Sequence, residues 1–367
     1  MLKDQLQKLK GVDSFPAISI VMPTHRKFPA SKQNPTIMKN QLKKINELLS
    51  DQFDKRNTEH YMEKLKDLEE KVDYDHPLDS LGVFMSKDVE QIVYLPFSSR
   101  ETAIVDSSFQ IRDIVYTLNR SFNYNVILLS EKNTRIFHGM DDKVAEYFPK
   151  DLPKSVKEYV DEPLMDDNRY SYQDTNLFNE NVRIKFYQDI DEFISKNLGK
   201  KNNLVLVGVA DNLAEFQKLS KNKDKIYLTA EGNYDHFTEH EVSELIRPKI
   251  LEKLEAEKKQ MLGELEKAVS NGKYASGITQ VWREVGMKKG HILFVEKGYY
   301  QPALKGDDEL TIHTAEENDE QAAANPKYIS DAVDDVVEKM LEDNGEVYFV
   351  EEGALEDHQK IAVITKY

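Results

Sequence analysis

The 367-residue sequence contains no cysteine. This absence excludes disulfides, thiolate nucleophiles and the zinc or iron–sulfur sites that need cysteine ligands. Long apolar runs are missing as well, since the segments 126–129 and 204–210 have only strand length. The first residues, 1–11, are charged and amphipathic and lack the apolar core of a signal peptide. The sequence therefore predicts a soluble, cytoplasmic protein that makes no membrane contact.

Motifs for phosphate binding and for nucleophilic catalysis are also missing. There is no GxxxxGK[ST], no GxGxxG after a strand and no GxSxG. His236, Glu239 and His240 match an inverted zinc-protease pattern. However, Thr238 and Glu241 form a capping box, which places His236 ahead of the helix. We therefore predict a helix start here, with no metal, no cofactor and no catalytic residue.

Charge is distributed unevenly along the chain. The net charge is −16, but residues 1–50 carry an excess of six positive charges. The segment 307–357 alone carries a net charge of −16. A basic N-terminal region suits contact with phosphate groups, whereas an acidic C-terminal region suits contact with a protein partner or with solvent. The alternative is that both regions are ordinary solvated surface.

Hydrophobic periodicity predicts an α/β (α+β) protein of three consecutive domains, at 1–120, 121–235 and 236–367. Strands are predicted at 17–22, 81–85, 91–95, 101–105, 124–130, 134–139, 203–209, 291–295, 347–350 and 361–365. Helices are predicted at the N-terminus and at 36–51, 56–72, 181–197, 211–220, 238–270, 277–286 and 326–343. We expect Pro248 to kink or interrupt its helix, the stretches 151–180 and 306–321 to be loops, and Trp282 to lie in a core.

A basic loop at 24–35 is the first candidate site. It offers cationic and amide donors beside a helix start, which suits phosphate and base-edge contacts to RNA. The candidate residues are His25, Arg26, Lys27, Lys32, Asn34 and Lys39. The same composition also fits a solvated loop that its prolines merely shape.

A second candidate lies in the polar stretch 151–180. Its residues Tyr170, Ser171, Tyr172 and Gln173 combine aromatic rings with an amide, which suits stacking and hydrogen bonding to RNA. Tyrosines in such loops also commonly fasten the loop to its own domain.

Several segments resemble a known family. SIVMPTHR at 19–26, NPTIMK at 34–39, ASGITQVW at 275–282 and IAVITKY at 361–367 resemble the archaeo-eukaryotic class-1 release factors and Pelota. The bacterial branch of that superfamily, related to the ribosome-hibernation factor Balon, is the more similar. Lys366 replaces the arginine of the family's closing strand. The resemblance implies a decoding-site-like N-terminal domain, a ribonuclease H-like middle domain and a ribosomal-protein-like C-terminal domain.

Two family motifs are absent. No Gly-Gly-Gln occurs, and SerTyrGln at 171–173 stands at the matching place, with Gln173 near the family's glutamine. The Asn-Ile-Lys-Ser decoding motif is also absent, although Asn34 and Lys39 lie close to its position. Peptide release and stop-codon reading are therefore not expected. We expect a non-catalytic translation factor that occupies the A site of idle or stalled ribosomes in hibernation or stress.

The resemblance also implies partners. These are the 70S ribosome, with 16S rRNA at the basic loop and 23S rRNA at residues 170–173, and elongation factor Tu at the acidic third domain, but no DNA. One alternative is a metal-dependent hydrolase or nuclease that uses carboxylates of the middle domain, namely Asp141, Asp142, Asp166 and Asp167. Another is a stress-pathway protein-interaction module.

Overall fold

A computed structural model describes residues 2–120, 122–141, 143–159, 172–198, 203–316, 322, 325 and 327–366, with backbone alone for 172–179. Its contacts divide the chain into two compact units. The first unit comprises residues 1–120 and 262–367, and the second comprises residues 121–261. The predicted mixed α/β class and multi-domain organisation are confirmed. The three-domain boundaries stay a prediction; the first predicted domain lies in the first unit together with residues 262–367 of the third, whereas residues 236–261 belong to the second unit.

The N-terminal part of the first unit is a helix-backed antiparallel sheet. Its elements are α1 (Leu2–Leu9), β1 (Ala17–Pro23), α2 (Asn34–Gln52), α3 (Lys55–Glu69), β2 (Ser80–Met85), β3 (Glu90–Leu95), β4 (Thr102–Asp106) and α4 (Arg112–Arg120). The strand order is β3-β2-β1-β4. Central β1 is buried along nearly its whole length, and α2 covers the sheet with Met38, Ile45 and Leu49 at helical spacing. The predicted strands and long helices are confirmed, but α4 was not predicted.

The second unit contains a five-stranded sheet with helices on both faces. Its elements are β5 (Asn123–Leu129), β6 (Arg135–Met140), β7 (Lys143–Tyr147), α5 (Tyr172–Asn197), β8 (Asn203–Gly208), α6 (Ala210–Leu219), β9 (Ile226–Glu231) and the first part of α7 (Glu239–Ser270). The strand order is β7-β6-β5-β8-β9, with β7, β6 and β5 antiparallel and β5, β8 and β9 parallel. This is the order of a ribonuclease H-like sheet, as the resemblance implied. The strands β7 and β9 were not predicted.

One prediction about the helices of this unit is wrong, and a second is wrong in part. First, α5 begins at Tyr172, so the expected loop is helical over residues 172–180. The helix is anchored further along by Phe186 and Ile190, which are fully buried. Second, Pro248 does not interrupt α7, which is continuous from Glu239 to Ser270, and a kink at this residue stays a prediction. Its buried neighbours Ile246 and Ile250 pack against the sheet and hold the helix in place despite the missing N–H donor.

The predicted capping box at the start of α7 is confirmed. The backbone N–H of Thr238 donates to Glu241 Oε2 at 2.8 Å, and the backbone N–H of Glu241 donates to Thr238 Oγ1 at 3.3 Å. The two side chains thus satisfy donors that the first helical turn leaves unpaired.

The C-terminal part completes the first unit. Its elements are β10 (Tyr274–Ser276), α8 (Ile278–Gly286), β11 (Gly290–Glu296), β12 (Ala303–Lys305), β13 (Ile312–Thr314), β14 (Tyr328–Ile329), α9 (Ala332–Glu342), β15 (Glu346–Val350) and β16 (Ile361–Thr365). They form a sheet of order β10-β16-β11-β15 and a small sheet of order β13-β12-β14. The predicted helix at 326–343 begins only at Ala332, because Tyr328 and Ile329 pair with β12. The expected loop at 306–321 likewise contains a strand, β13. Trp282 lies in the core, as predicted, with 2% of its surface exposed.

One hydrophobic core joins the two parts of the first unit. Leu9 and Phe109 from the N-terminal part belong to the same buried cluster as Val281 and Val336 from the C-terminal part. In this unit, the first and last thirds of the chain are therefore packed together, and α4 contributes Ile114 to their common core.

Candidate RNA-contacting loop

Residues 24–33, which we call the basic loop, connect β1 to α2. The loop starts from a fixed point, because the buried Thr24 donates from its backbone N–H to the Asp79 carbonyl at 2.9 Å. Its hydroxyl donates to the Leu78 carbonyl at 2.7 Å. A short 3₁₀ turn, Ala30–Gln33, leads into α2, so the predicted loop at 24–35 is partly helical. Both ends of the loop are thereby anchored to the first unit.

Asn34 closes the base of the basic loop. Its side-chain Oδ1 accepts a hydrogen bond from the His25 backbone N–H at 2.9 Å, and its Nδ2 donates to the His25 carbonyl at 3.0 Å. The side chain is fully buried. Asn34 thus holds the loop in position. Because its buried amide is engaged with His25, it is not free to make the predicted direct contact with RNA.

The predicted cationic side chains of the loop and of α2 are exposed. They are His25, Arg26, Lys27, Lys32 and Lys39. Arg26 is engaged with Asp79, through Nε–Oδ1 at 2.8 Å and Nη2–Oδ2 at 2.9 Å. Nearly half of each of these two side chains is exposed, so water and salt weaken the ion pair. A phosphate group can therefore compete for Arg26 at modest cost.

Phe28, at the tip of the basic loop, was not among the predicted site residues. The residue is 73% exposed, and Lys32 Nζ lies 5.0 Å from the centroid of its ring. The signal in the sequence was the run His25-Arg26-Lys27-Phe28, in which an aromatic residue follows three potential cations. This combination of an aromatic face with cations is typical of sites that bind unpaired nucleotides.

The second predicted site falls mostly outside the described residues. Tyr170 and Ser171 lie there, whereas Tyr172 and Gln173 form the first turn of α5, where the structure describes backbone alone. The role of these four residues near the peptidyl-transferase centre stays a prediction.

Of the carboxylates named for a hydrolase, Asp142, Asp166 and Asp167 also lie outside the described residues. Asp141 occupies a turn with φ 54°, and its Oδ1 accepts a hydrogen bond from the Phe122 N–H at 2.9 Å. Asp141 thus stabilises the entrance to β5. Within the parts of the chain that the structure describes, no three His, Asp or Glu side chains gather closely enough to hold a metal ion.

A cleft of about 240 Å³ lies at the carboxyl ends of β5 and β8, where ligands bind in many α/β folds. Ser130 lines it, but its Oγ accepts hydrogen bonds from the N–H groups of Lys132 at 3.2 Å and Asn133 at 3.4 Å. This serine therefore holds the turn that follows β5.

Residues 123–289 match the bacterial archaeo-eukaryotic release factor family 3. This confirms the resemblance to the release-factor and Pelota superfamily. The matched segment runs from the start of β5 to just beyond α8 and spans a little under half of the chain. The basic loop precedes the matched segment, so any role of this loop depends on its own geometry.

Solved structures of this superfamily match the chain at low identity. An archaeal translation termination factor, aRF1, is 13% identical with a TM-score of 0.24, covering 100% of this chain and 97% of that chain. Pelota from Archaeoglobus fulgidus is 12% identical with a TM-score of 0.30, covering 100% and 92%. Dom34 from S. cerevisiae, a translation termination-like factor, is 13% identical with a TM-score of 0.40, covering 79% and 74%. At these values the likeness carries no argument about sites or activity.

None of the curated proteins matches the sequence. In the described residues, none of the helices combines the length and apolar character needed to cross a membrane.

Proposed function

We propose that this protein is a non-catalytic translation factor that binds the A site of idle or stalled 70S ribosomes during hibernation or stress. The family match over residues 123–289 supports the class of translation factor. The observation that carries the RNA contact is the basic loop, an anchored segment whose cationic side chains point into solvent. We assign 16S rRNA of the decoding site as its partner.

The charge distribution supports contact with RNA through the N-terminal end of the chain. The net charge of −16 repels RNA as a whole, but at physiological salt the repulsion is screened beyond ~8 Å. Cations that touch phosphates are screened much less, so the basic loop can bind while the acidic segment stays distant from RNA. We further propose that segment 307–357 favours a protein partner, elongation factor Tu, and that residues 170–173 approach 23S rRNA.

Substitution of the loop cations tests this proposal. The double variant Arg26→Ala/Lys32→Ala is expected to bind 70S ribosomes more weakly. Its plot of log affinity against log salt is expected to be shallower, by about one unit or less for each lost phosphate contact. Arg26 contributes the smaller part, since binding must displace Asp79. The measurement is co-sedimentation with 70S ribosomes over a salt series.

The matched control is Lys55→Ala/Lys66→Ala. It also removes two exposed positive charges, from α3 of the same unit. This control is expected to keep the wild-type salt slope. Equal binding by the Arg26/Lys32 variant and the wild type would remove the basic loop from the interface.

A further inference from the structure

The exposure of Phe28 needs an explanation, because an aromatic ring in water is unfavourable. Among the residues whose side chains the structure describes, two other phenylalanines are comparably exposed, Phe15 at 56% and Phe148 at 78%. Phe15 stacks on Phe53, with ring centroids 5.5 Å apart and planes 20° from parallel. Phe28 is set apart by its position on a loop of cations, with Lys27 beside it and Lys32 over its ring.

The loop holds the Phe28 ring in this outward position. The Ser31 N–H donates to the Lys27 carbonyl at 2.9 Å, and the Lys32 N–H donates to the Pro29 carbonyl at 3.2 Å. These two bonds bracket Phe28, and the Asn34–His25 hydrogen bonds close the loop below it. Because the backbone is ordered in advance, a ligand that packs on the ring loses little affinity to loop ordering.

The neighbouring groups indicate the chemistry of that ligand. Lys32 Nζ lies 5.0 Å from the ring centroid, yet most of the ring stays accessible. A flat apolar face thus lies within a few ångströms of an ammonium group. A nucleotide presents the complementary pair, a flat base and a phosphate. A base in a duplex is already stacked on both faces, so the complementary ligand is an unpaired nucleotide.

We propose that Phe28 stacks on an unpaired base of ribosomal RNA while Lys32 and Lys27 contact the flanking phosphates. This inference rests on the proposed function and names the RNA feature that the basic loop recognises. Stacking on a phenyl ring discriminates little among bases, since every base has a π face. Phe28 therefore selects for an unpaired nucleotide and not for a particular sequence.

Four substitutions of Phe28 distinguish between two possible partners of its ring, an RNA base and an apolar protein pocket. Phe28→Ala and Phe28→Leu remove the flat face and are expected to weaken 70S binding by about 5- to 150-fold, the range of one base–aromatic stack. Phe28→Tyr and Phe28→Trp keep the face and are expected to bind like the wild type. Phe148→Ala, which removes an equally exposed ring from the second unit, is the matched control and is expected to change nothing. Urea unfolding midpoints are expected to be equal for all of them, because both rings are exposed.

A second readout follows stacking directly. In the Phe28→Trp variant, the new indole is exposed whereas the native Trp282 is 2% exposed. A base that stacks on the new indole quenches its emission, so we expect quenching by 70S ribosomes and by short single-stranded oligoadenylate. An RNA duplex of the same length is expected to leave the emission unchanged.

Three results would overturn the inference, and they differ from one another. If Phe28→Ala binds like the wild type while Arg26→Ala/Lys32→Ala binds weakly, stacking is wrong and the proposed function stands. If Phe28→Leu binds well and Phe28→Trp binds poorly, the ring enters an apolar protein pocket. If the wild type does not bind 70S ribosomes at all, the proposed function fails and this inference fails with it.

Discussion

Asn34 uses both hydrogen-bonding groups of its amide on one residue, His25, nine positions earlier in the chain. An exposed amide in this place would be free to contact RNA. The buried amide instead fixes the direction in which the loop leaves β1, so it acts on any RNA contact through the position of its neighbours.

Substitution of Asn34 tests this positioning role. Asn34→Ala leaves the His25 N–H without its acceptor, and we expect the free energy of unfolding to fall by about 1–2 kcal/mol. Ribosome affinity is expected to fall as well, since the loop must then be ordered on binding. Urea unfolding measures the first effect. Asn40→Ala, exposed on the same helix, is the control, and equal midpoints for the two variants would contradict the role of Asn34.

The sequence named most of the residues of this candidate site but not the position and contacts of each side chain. The types of His25, Lys27 and Lys32 were enough to predict exposed cations beside a helix start. Whether Asn34 points outward or inward depends on a contact with His25 that no local pattern reveals. Phe28 was missed because phenylalanine is most often a core residue, and only the loop geometry shows that this one is exposed.

At the scale of elements, α9 turns an acidic face inward within the first unit. Asp331, Asp334 and Glu338 are all buried. Asp334 accepts a hydrogen bond from the Arg112 backbone N–H at 2.7 Å, and Glu338 accepts one from the Gly11 N–H at 3.2 Å. These carboxylates tie α9 to the N-terminal part. Part of the acidic segment 307–357 is therefore used inside the protein and is not available to a partner.

The second prediction concerns Arg112, whose guanidinium pairs with Asp331 and donates to the Tyr299 carbonyl at 2.8 Å. Arg112→Ala leaves Asp331 buried without a counter-charge, and we expect a loss of about 3–5 kcal/mol in the free energy of unfolding. Arg120→Ala, at the exposed end of the same helix, is expected to cost far less. Urea or thermal unfolding compares the two. Similar losses would show that the buried ion pair is not needed.

The third prediction is a pH dependence at Asp335. Burial, and secondarily the charge of Asp106, raises the pKa of Asp335 from 3.8 to about 7, although Lys339 and Lys305 oppose the shift. The folded state therefore binds this proton more tightly than the unfolded chain does. The resulting stability is present below the unfolded pKa and is lost as the pH rises through about 7.

Asp335→Asn removes this titration. We expect its urea midpoint, relative to the wild type, to rise between pH 5 and pH 8. Glu342→Gln, which neutralises an exposed carboxyl group of the same helix, is expected to keep the wild-type trend. A constant difference between Asp335→Asn and the wild type across this pH range would show that Asp335 titrates as an ordinary carboxyl group.

Elements with long apolar runs or a capping motif were predictable, and short or weakly patterned ones were not. The strands β1, β5 and β8 are nearly continuous apolar runs, and the Thr238–Glu241 capping box marks a helix start. By contrast, α4 has only nine residues, several of them polar. In β7, exposed residues stand next to partly buried ones, and two of its five residues are charged. Both elements depend on tertiary contacts, with the apolar side of α4 buried in the common core and β7 paired along β6.

At the scale of the molecule, the principal feature that the sequence did not reveal is that the first and last parts of the chain form one unit with a common core. Phe84 packs edge-on against Phe109 at 5.9 Å, and Tyr116 packs edge-on against Phe349 at 5.3 Å. The second pair joins residues more than two hundred positions apart. Hydrophobic periodicity describes one helix or strand at a time. It can therefore predict the individual helices and strands, but not which of them pack into the same core.

Co-sedimentation with vacant 70S ribosomes is the direct test of the proposal that this protein occupies the ribosomal A site. We expect a stoichiometric complex that weakens steeply with salt and that A-site tRNA displaces. A complex that tRNA leaves intact would contradict the A-site placement. No complex at low salt, even with elongation factor Tu present, would contradict the ribosomal role itself.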